Sequence, residues 1–474
     1  MYKSQVNTQL SFEDFDQPIG LTMNPENRWI KKAEQTPWVA LEKDYAKNFR
    51  NNKGNVAKPL RMALGALLIQ MFYSWSDEEV VQSIQENPYL QFFIGLPGYQ
   101  QEKPFDASTM VYFRKGLDAT TLAEINEKII AFNTAPKDTT ADEHDNHHDD
   151  DSNSGTLIID ATCAPQNIKY PTDTEQLNEA RTHAEKIIDV RCDTHDLRKP
   201  RIYRRKARKV YLSIVKRKKK AKKWLRPKIR QMLGFLKRDI KQIEAYLEMG
   251  YTLTEQHLVW WDTIQKIYEQ QQYMYDNRVN SVPNRIVSFH QPWLRPIVRG
   301  KAKASVEFGA KLDMSIDNGI CRLEKVSFEA YNESTVLISA IRHYYDRNGC
   351  YPERVLADKI YRKRGNLQYC KARNIRLSGP SLGRRKKDDT RDKALEYRDN
   401  ADRVEVERGF SQLKGSFGLG LLRTKRQDTT LTAIALSVIL KNLSTFTAVS
   451  LRRFFDVLAI FRKFCLSPAN WVQW

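Results

Sequence analysis

Apolar positions follow three rhythms along this chain. From Trp38 to about Phe132 they recur at helical spacing, most strongly at Leu60, Met62, Leu64, Leu67, Leu68 and Met71. Ser76-Asp-Glu-Glu79 is a capping-box pattern, and Phe105-Asp-Ala-Ser-Thr109 reads as a turn and N-cap ahead of another helix. Two short continuous runs, Thr156-Leu-Ile-Ile-Asp160 and Arg354-Val-Leu-Ala-Asp358, predict strands that end at their aspartates. Strands are also predicted at Arg285–His290, Val306–Ile316 and Cys321–Phe328, the last two joined by the hairpin signal Asp317-Asn-Gly. Helices are expected from about Asp173 to Val190, through residues 201–276, from Ser334 to Tyr345 with a stop at Asn348-Gly349, and around Arg403–Lys414. Residues 1–35 read as polar and irregular. The most apolar long run, Leu431–Val449, is interrupted by Lys441 and Asn442 and reads as a buried helix, not a membrane span.

Charge changes this picture at one place. The 474-residue chain carries a formal charge of +21, which favours a polyanionic partner. Residues 198–238 hold 20 Lys or Arg and no Asp or Glu, so the remainder is close to neutral. Apolar residues from Tyr203 to Leu236 punctuate the block, which makes it an amphipathic helical insert and not a tail. Six regions follow: a helical N-terminal domain (1–133), an acidic, His-rich linker (134–155), the first part of a core (156–200), the basic helical insertion (201–283), the second part of the core (284–450) and a helical tail (451–474). His144, His147 and His148 in the linker admit metal binding, against the plainer reading of a solvated loop. The six cysteines form no C-x-x-C pair, and the N-terminus lacks a signal pattern; a reducing cytoplasm is expected. The N-terminal helices are compatible with a helix-turn-helix module and equally with a generic bundle.

The candidate chemistry lies in three carboxylates. Asp160 and Asp358 at strand ends, with Glu407 on a helix, are hard oxygen donors of the kind that hold two divalent metals for phosphodiester cleavage and joining. Each has a plainer reading. An aspartate ending a strand is often a turn former or N-cap, and Glu407 alone is an ordinary surface residue with Glu405 as its rival. Arg403, Glu407 and Lys414 fall on one helix face and are also compatible with a simple salt-bridged stripe.

With these residues in place, the chain resembles bacterial insertion-sequence transposases of the DDE type, in the insertion sequence five group, over about residues 58–443. The family pattern Tyr-x2-Arg-x3-Glu-x6-Lys is matched by Arg403, Glu407 and Lys414, which selects Glu407 over Glu405; Asn400 stands at the Tyr position. The middle motif reads Ala357-Asp-Lys-Ile-Tyr361, with Ile360 departing. Further likeness lies at Pro292–Lys301 and Arg376-Leu-Ser-Gly379. The resemblance implies a ribonuclease H-like α/β core with a mixed sheet, an all-α N-terminal DNA-binding domain and a basic α-helical insertion. It implies a catalytic set of Asp160, Asp358, Glu407 and Lys414, with the three carboxylates holding Mg2+ or, in its place, Mn2+. It also implies double-stranded DNA partners, both terminal inverted repeats and target, held by a homodimer in the cytoplasm at the nucleoid. Expected DNA contacts are Arg204, Arg205, Lys206, Arg208, Lys209, Lys216, Arg217, Lys218, Arg299, Lys301, Arg384, Arg385, Arg403, Arg423 and Lys425. The alternatives are a DNA-binding or regulatory protein on an inactive scaffold of this kind, and a metal-dependent nuclease without strand transfer.

Overall fold

The computed structural model describes residues 11–18, 22–47, 56–135, 152–298, 306–379 and 392–465, with the single positions 9 and 20 and with side chains through residue 448. The chain divides into two compact units, one of residues 1–164, 312–326 and 332–474, the other of residues 165–311 and 327–331.

The first unit opens with helices α1 (Arg28–Glu34), α2 (Trp38–Ala46), α3 (Leu60–Tyr73), α4 (Asp77–Glu86), α5 (Pro88–Phe93), α6 (Thr109–Gly116) and α7 (Ala119–Thr134). Helix α3 is apolar all round and buried from Leu60 to Ile69, as a core helix must be. The Ser76 capping box starts α4, with both reciprocal bonds formed to Glu79. Residues 1–35 are not all irregular. Asn27 caps α1 by accepting from the Trp29 amide, and Trp29 and Ile30 are buried there. A seven-residue helix holds too few apolar positions for its period to show in the sequence.

The strands are β1 (Thr156–Pro165), β2 (Arg295–Val298), β3 (Val306–Asp317), β4 (Ile320–Ser327), β5 (Arg354–Leu356) and β6 (Arg376–Leu377). They form one mixed sheet in the order β2-β3-β1-β5-β6, with β4 also paired to β3. β1, β5 and β6 run parallel, and β2 is antiparallel to β3. The β3–β4 hairpin turns at Asn318 and Gly319, both with positive φ (50° and 79°). That conformation suits the right-handed twist of the strands and is strained for most residues other than Asn and Gly. Between the parallel strands lie α12 (Leu337–Asn348), ended by Gly349 at φ 72°, and α13 (Arg364–Lys371). The unit closes with α14 (Lys393–Ser416) and α15 (Gln427–Cys465). Residues Gln427–Ala448 of α15 are long and apolar enough to cross a membrane, but they form a mostly buried core helix. Asn442 on it grips both the amide and the carbonyl of Cys321. The helix runs unbroken through residue 451, where a separate tail was expected.

The second unit is helical: α8 (Asp173–Thr194), α9 (Arg204–Val215), α10 (Lys222–Glu248) and α11 (Glu255–Asn277), with β2 and the start of β3. Two expectations are corrected here. Helix α8, expected in the core, belongs to this unit, because Ala180, Ala184, Ile187 and Ile188 pack in one cluster with Leu236, Ile240, Ile243, Ile264 and Ile267. Residues 285–290 do not form a strand. Ile286 bonds through both its amide and its carbonyl to the Gln270 side chain, and the Val287 carbonyl accepts from Gln176. Side chains thus satisfy backbone groups that a neighbouring strand would otherwise take.

Inside this unit Asp239 is fully buried, and neither of its oxygens accepts a hydrogen bond. Burial, followed by the nearby Glu185, pushes its carboxyl up to about 8. The folded protein therefore favours the protonated acid. The resulting stability is present at low pH and is lost as pH rises from the unfolded value near 4 through about 8. Asp239→Asn, neutral throughout, is expected to raise the unfolding free energy relative to the wild type by an increment that grows from pH 6 to pH 9, reaching roughly 1–3 kcal/mol. Urea titrations of both proteins at the two pH values check this; an increment that shrinks with pH would refute it.

Candidate active site

β1 and β5 pair in parallel with Thr156 opposite Arg354, Leu157 opposite Val355 and Ile158 opposite Leu356. The paired register ends there; Asp160 and Asp358 each follow two residues later, and Asp358 lies near enough for its charge to act on the Asp160 carboxyl. One face of the pair is marked by Arg354, whose Nε donates to Thr156 Oγ1 at 2.7 Å. Asp160 does not end its strand as expected. β1 continues to Pro165, and Asp160 is the one position between its two end residues that is not buried. Asp358 lies just past β5 and caps the 3-10 turn Lys359–Tyr361. Each carboxylate is oriented alike: Ala161 N donates to Asp160 Oδ1 at 2.8 Å, and Lys359 N to Asp358 Oδ1 at 2.6 Å. The N-cap reading of Asp358 is thus also met, with an exposed carboxylate.

Helix α14 carries Arg403, Glu407 and Lys414 within one continuous element. It is fixed upstream by Asp399, whose buried carboxylate takes both Arg376 Nη1 (2.5 Å) and Nη2 (2.8 Å) and lies 3.4 Å from Arg354 Nη1. Asp402 pairs with Arg354 at 2.7 Å. One turn on, Arg403 reaches Asp160 through Nη1 at 3.4 Å and Glu407 through Nη2 at 3.2 Å. The structure thus links Asp160 to Glu407 through a guanidinium.

Burial pushes the Asp160 carboxyl up to about 6. The Ala161 amide and Arg403 oppose the rise, and Glu333 and Asp358 add to it. These are the marks of a buried anion short of positive charge. The donor set is oxygen only, which fits a hard divalent cation. Among the described residues, however, no three His, Cys, Asp or Glu side chains are close enough together to hold one ion. Asp160 and Asp358 are oxygen donors whose charges act on each other, while Glu407 is engaged by Arg403.

The other expected residues are dispersed. Lys414 lines a cavity of about 640 Å3 with Trp75, Arg114, Arg423 and Lys425. In the second unit, Arg205, Lys206, Arg208 and Lys209 are exposed on α9, whose opposite face buries Ala207, Val210 and Ile214. Lys216, Arg217 and Lys218 are exposed after it, with Arg217 stacked 4.4 Å over Trp224. Arg204 serves a different purpose: it pairs with Glu185 at 3.0 Å and Asp189 at 2.9 Å, holding α9 to α8. Arg299, Lys301, Arg384, Arg385 and the linker histidines lie outside the described residues.

The structure also identifies supporting residues that sequence reasoning left without a role. Ser378 accepts from the Ala357 amide at 3.0 Å and so clamps the residue before Asp358. Tyr361 donates to the fully buried Asp313 at 2.7 Å, and burial raises its phenol far above the usual value. Asn366 bonds the carbonyls of both Ser334 and Tyr361 at 2.8 Å, tying the turn that bears Glu333 to the one capped by Asp358. Ser378 and Tyr361 fall within motifs visible in the sequence; Asn366 and Glu333 carried no such signal.

The sheet thus carries Asp160 within β1 and Asp358 just past β5, and α14 brings Glu407, which Arg403 links to Asp160. The family described as "Transposase DDE domain" matches residues 355–444, and the one described as "Transposase domain (DUF772)" matches residues 21–116. "Uncharacterized protein ORF8 in nfe locus" of Rhizobium meliloti is 30% identical over 162 residues, covering 34% of this chain and 72% of that protein. No solved structure matches. The chain belongs to the DDE transposases of bacterial insertion sequences. Membership makes DNA its partner and a DNA-cleaving, nuclease-type reaction its class, and such enzymes generally use divalent metal ions.

Two stability effects follow. Asp160 ionises at a cost, so its stabilising contribution is present at low pH and lost between the unfolded value near 4 and about 6. Asp160→Asn should stabilise the protein by roughly 1–2 kcal/mol at pH 7.5, with the difference vanishing near pH 4 in urea titrations. Asp399→Ala strands Arg354 and Arg376, and a loss of about 3 kcal/mol is expected in the same assay.

Proposed function

We propose that this chain is the transposase of an insertion sequence, binding its terminal inverted repeats and carrying out metal-dependent cleavage and strand transfer. The observation that carries the reading is Asp160 in β1 and Asp358 just past the parallel strand β5, with charges that act on each other, and Glu407 tied to Asp160 through Arg403. The strand order supports a ribonuclease H-like core: β1 is flanked on one side by β3 with its hairpin partner β4, and on the other by parallel β5 and β6.

Asp160 and Asp358 would hold the divalent cation, Mg2+ or Mn2+, and Glu407 would complete the set. Bound there, such a cation supplies Lewis-acid stabilisation of the phosphate and an activated water or 3′ hydroxyl. The chain's own part is to hold and orient. The Ala161 and Lys359 amides fix the two aspartates, while the Asp399 ion pairs fix the helix that brings Glu407. Lys414, Arg423 and Lys425 contribute positive charge along the cut strand. The cationic face of α9 and the Lys216–Lys218 segment clamp phosphates, which position the duplex without reading its sequence. Reading of the repeats falls to the N-terminal helices. Two ends must meet, so the working form is a homodimer on DNA, in the cytoplasm.

A second reading, DNA binding without catalysis, draws on one observation: no three acidic side chains converge among the described residues. Strand transfer separates the two. Labelled terminal-repeat duplex with Mg2+ should yield joined product, and Asp358→Asn should lower its yield by roughly a hundredfold or more with DNA affinity unchanged. Equal product from both proteins would remove Asp358 from the chemistry, and binding without cleavage by either would favour the second reading. Replacing Arg205, Lys206, Arg208 and Lys209 by Gln should weaken DNA binding at all sequences and flatten its salt dependence by about 3–4 in slope. Affinity measurements between 50 and 200 mM salt check this.

A further inference from the structure

We infer that Arg403 is the resident counter-ion of the acidic site, so that its bridge from Asp160 to Glu407 and the binding of a divalent cation by those carboxylates are alternatives. This inference rests on the proposed metal-binding role of the trio. In the bridge, Nη1 faces Asp160 Oδ2 at 3.4 Å and Nη2 faces Glu407 Oε1 at 3.2 Å. Both contacts are long for charge-assisted bonds, which normally measure ~2.7–2.9 Å. Upstream on the same helix each arginine has at least one short contact: Arg376 to Asp399 at 2.5 Å, and Arg354 to Asp402 at 2.7 Å beside its longer 3.4 Å approach to Asp399. The guanidinium is therefore shared loosely between two carboxylates, whereas its neighbours are held firmly.

The geometry lets it leave without rearranging the fold. Arg403 and Glu407 are four residues apart on α14, so breaking the bridge needs only side-chain rotation. The Arg403 side chain is 26% exposed and Glu407 is 55% exposed, which gives both access to solvent. A guanidinium has no acceptor and cannot lose its proton, so it cannot join the ligand set of an incoming cation. Two positive groups at one pair of carboxylates repel, and the more strongly attracted one displaces the other. Arg403 offsets one of the negative charges before the cation arrives, and the divalent cation offsets two afterwards. The displaced guanidinium is then free to meet a DNA phosphate, which couples cation and DNA binding favourably.

The experiment is Mn2+ binding to the full-length, DNA-free protein, read by the electron paramagnetic resonance signal of free Mn2+. Arg403→Gln and Arg403→Ala should each bind Mn2+ about tenfold more tightly than the wild type, because the competitor is gone. Arg408→Gln, which removes an exposed charge from the same helix, should change affinity less than about twofold, separating displacement from loss of general positive field. Asp160→Asn and Asp358→Asn should weaken binding at least about tenfold. If the aspartate variants weaken binding while both Arg403 variants match or fall below the wild type, the counter-ion role is overturned and the metal site stands. If Arg408→Gln tightens binding as much as Arg403→Gln, the bridge is not the cause and the inference is likewise overturned. If neither aspartate variant alters Mn2+ affinity, the metal site fails and the inference fails with it. Far-ultraviolet circular dichroism and urea midpoints confirm that each variant is folded.

Discussion

The candidate site depends first on the parallel pairing of β1 with β5. That pairing sets side by side the two segments that lead to Asp160 and Asp358, which are far apart in the chain, and brings their charges within reach of each other. A slip of one residue would turn the β5 side chains to the opposite face and shift the turn that Asp358 caps. The register is accordingly held by more than ladder bonds. Arg354 reaches across to Thr156, and Ser378 on the far side of β5 grips the backbone of Ala357. Tyr361 and Asn366 then fix the turn that follows Asp358. β5 has only three residues and β6 two, so side-chain clamps do the work that strand length would do elsewhere.

Helix α14 depends on that register in turn. Asp399 and Asp402 dock on Arg354, the same residue that marks the β1–β5 face, and this sets the phase of the helix. Arg403 and Glu407 follow from it, because positions three and four residues on share a helix face. Gly409 lies on the next turn, where a Cβ would come within 2.9 Å of Ile316 and 3.7 Å of Cys321. The absence of a side chain there brings the helix close to the β3–β4 hairpin. The sequence of constraints therefore runs from strand register to ion pair to helix phase to carboxylate.

Much of this was legible in the sequence, for identifiable reasons. The capping box at Ser76, the Asn318-Gly319 turn and the Gly349 stop rely on local chemistry, which a short window of sequence contains. The equal spacing of Asp160 and Asp358 from their strand starts was visible too, but its meaning needed the pairing partner. What stayed hidden was long-range. Nothing near residue 177 indicates that α8 packs with α10 and α11, because an amphipathic helix shows that it has an apolar face and not which surface covers it. Arg285–His290 has the apolar pattern of a strand, yet its backbone partners are the side chains of Gln270 and Gln176. Arg204 looked like its basic neighbours, and only the position of Glu185 and Asp189 distinguishes it.

The two perturbed aspartates show which physical sign of a site can be relied upon. Asp239 is shifted further, to about 8, than Asp160, to about 6, and both shifts come first from burial. Magnitude alone would thus single out Asp239 ahead of Asp160. Asp239 is fully enclosed in a helical core, and its oxygens meet no donor. Asp160 keeps 19% of its side chain exposed, with Glu333 and Asp358 adding to its charge and a loosely held Arg403 opposing it. A buried carboxylate that is merely enclosed relieves its cost by taking up a proton. One that is partly open and surrounded by other acids can relieve it by taking up a cation, and only the second arrangement leads to chemistry.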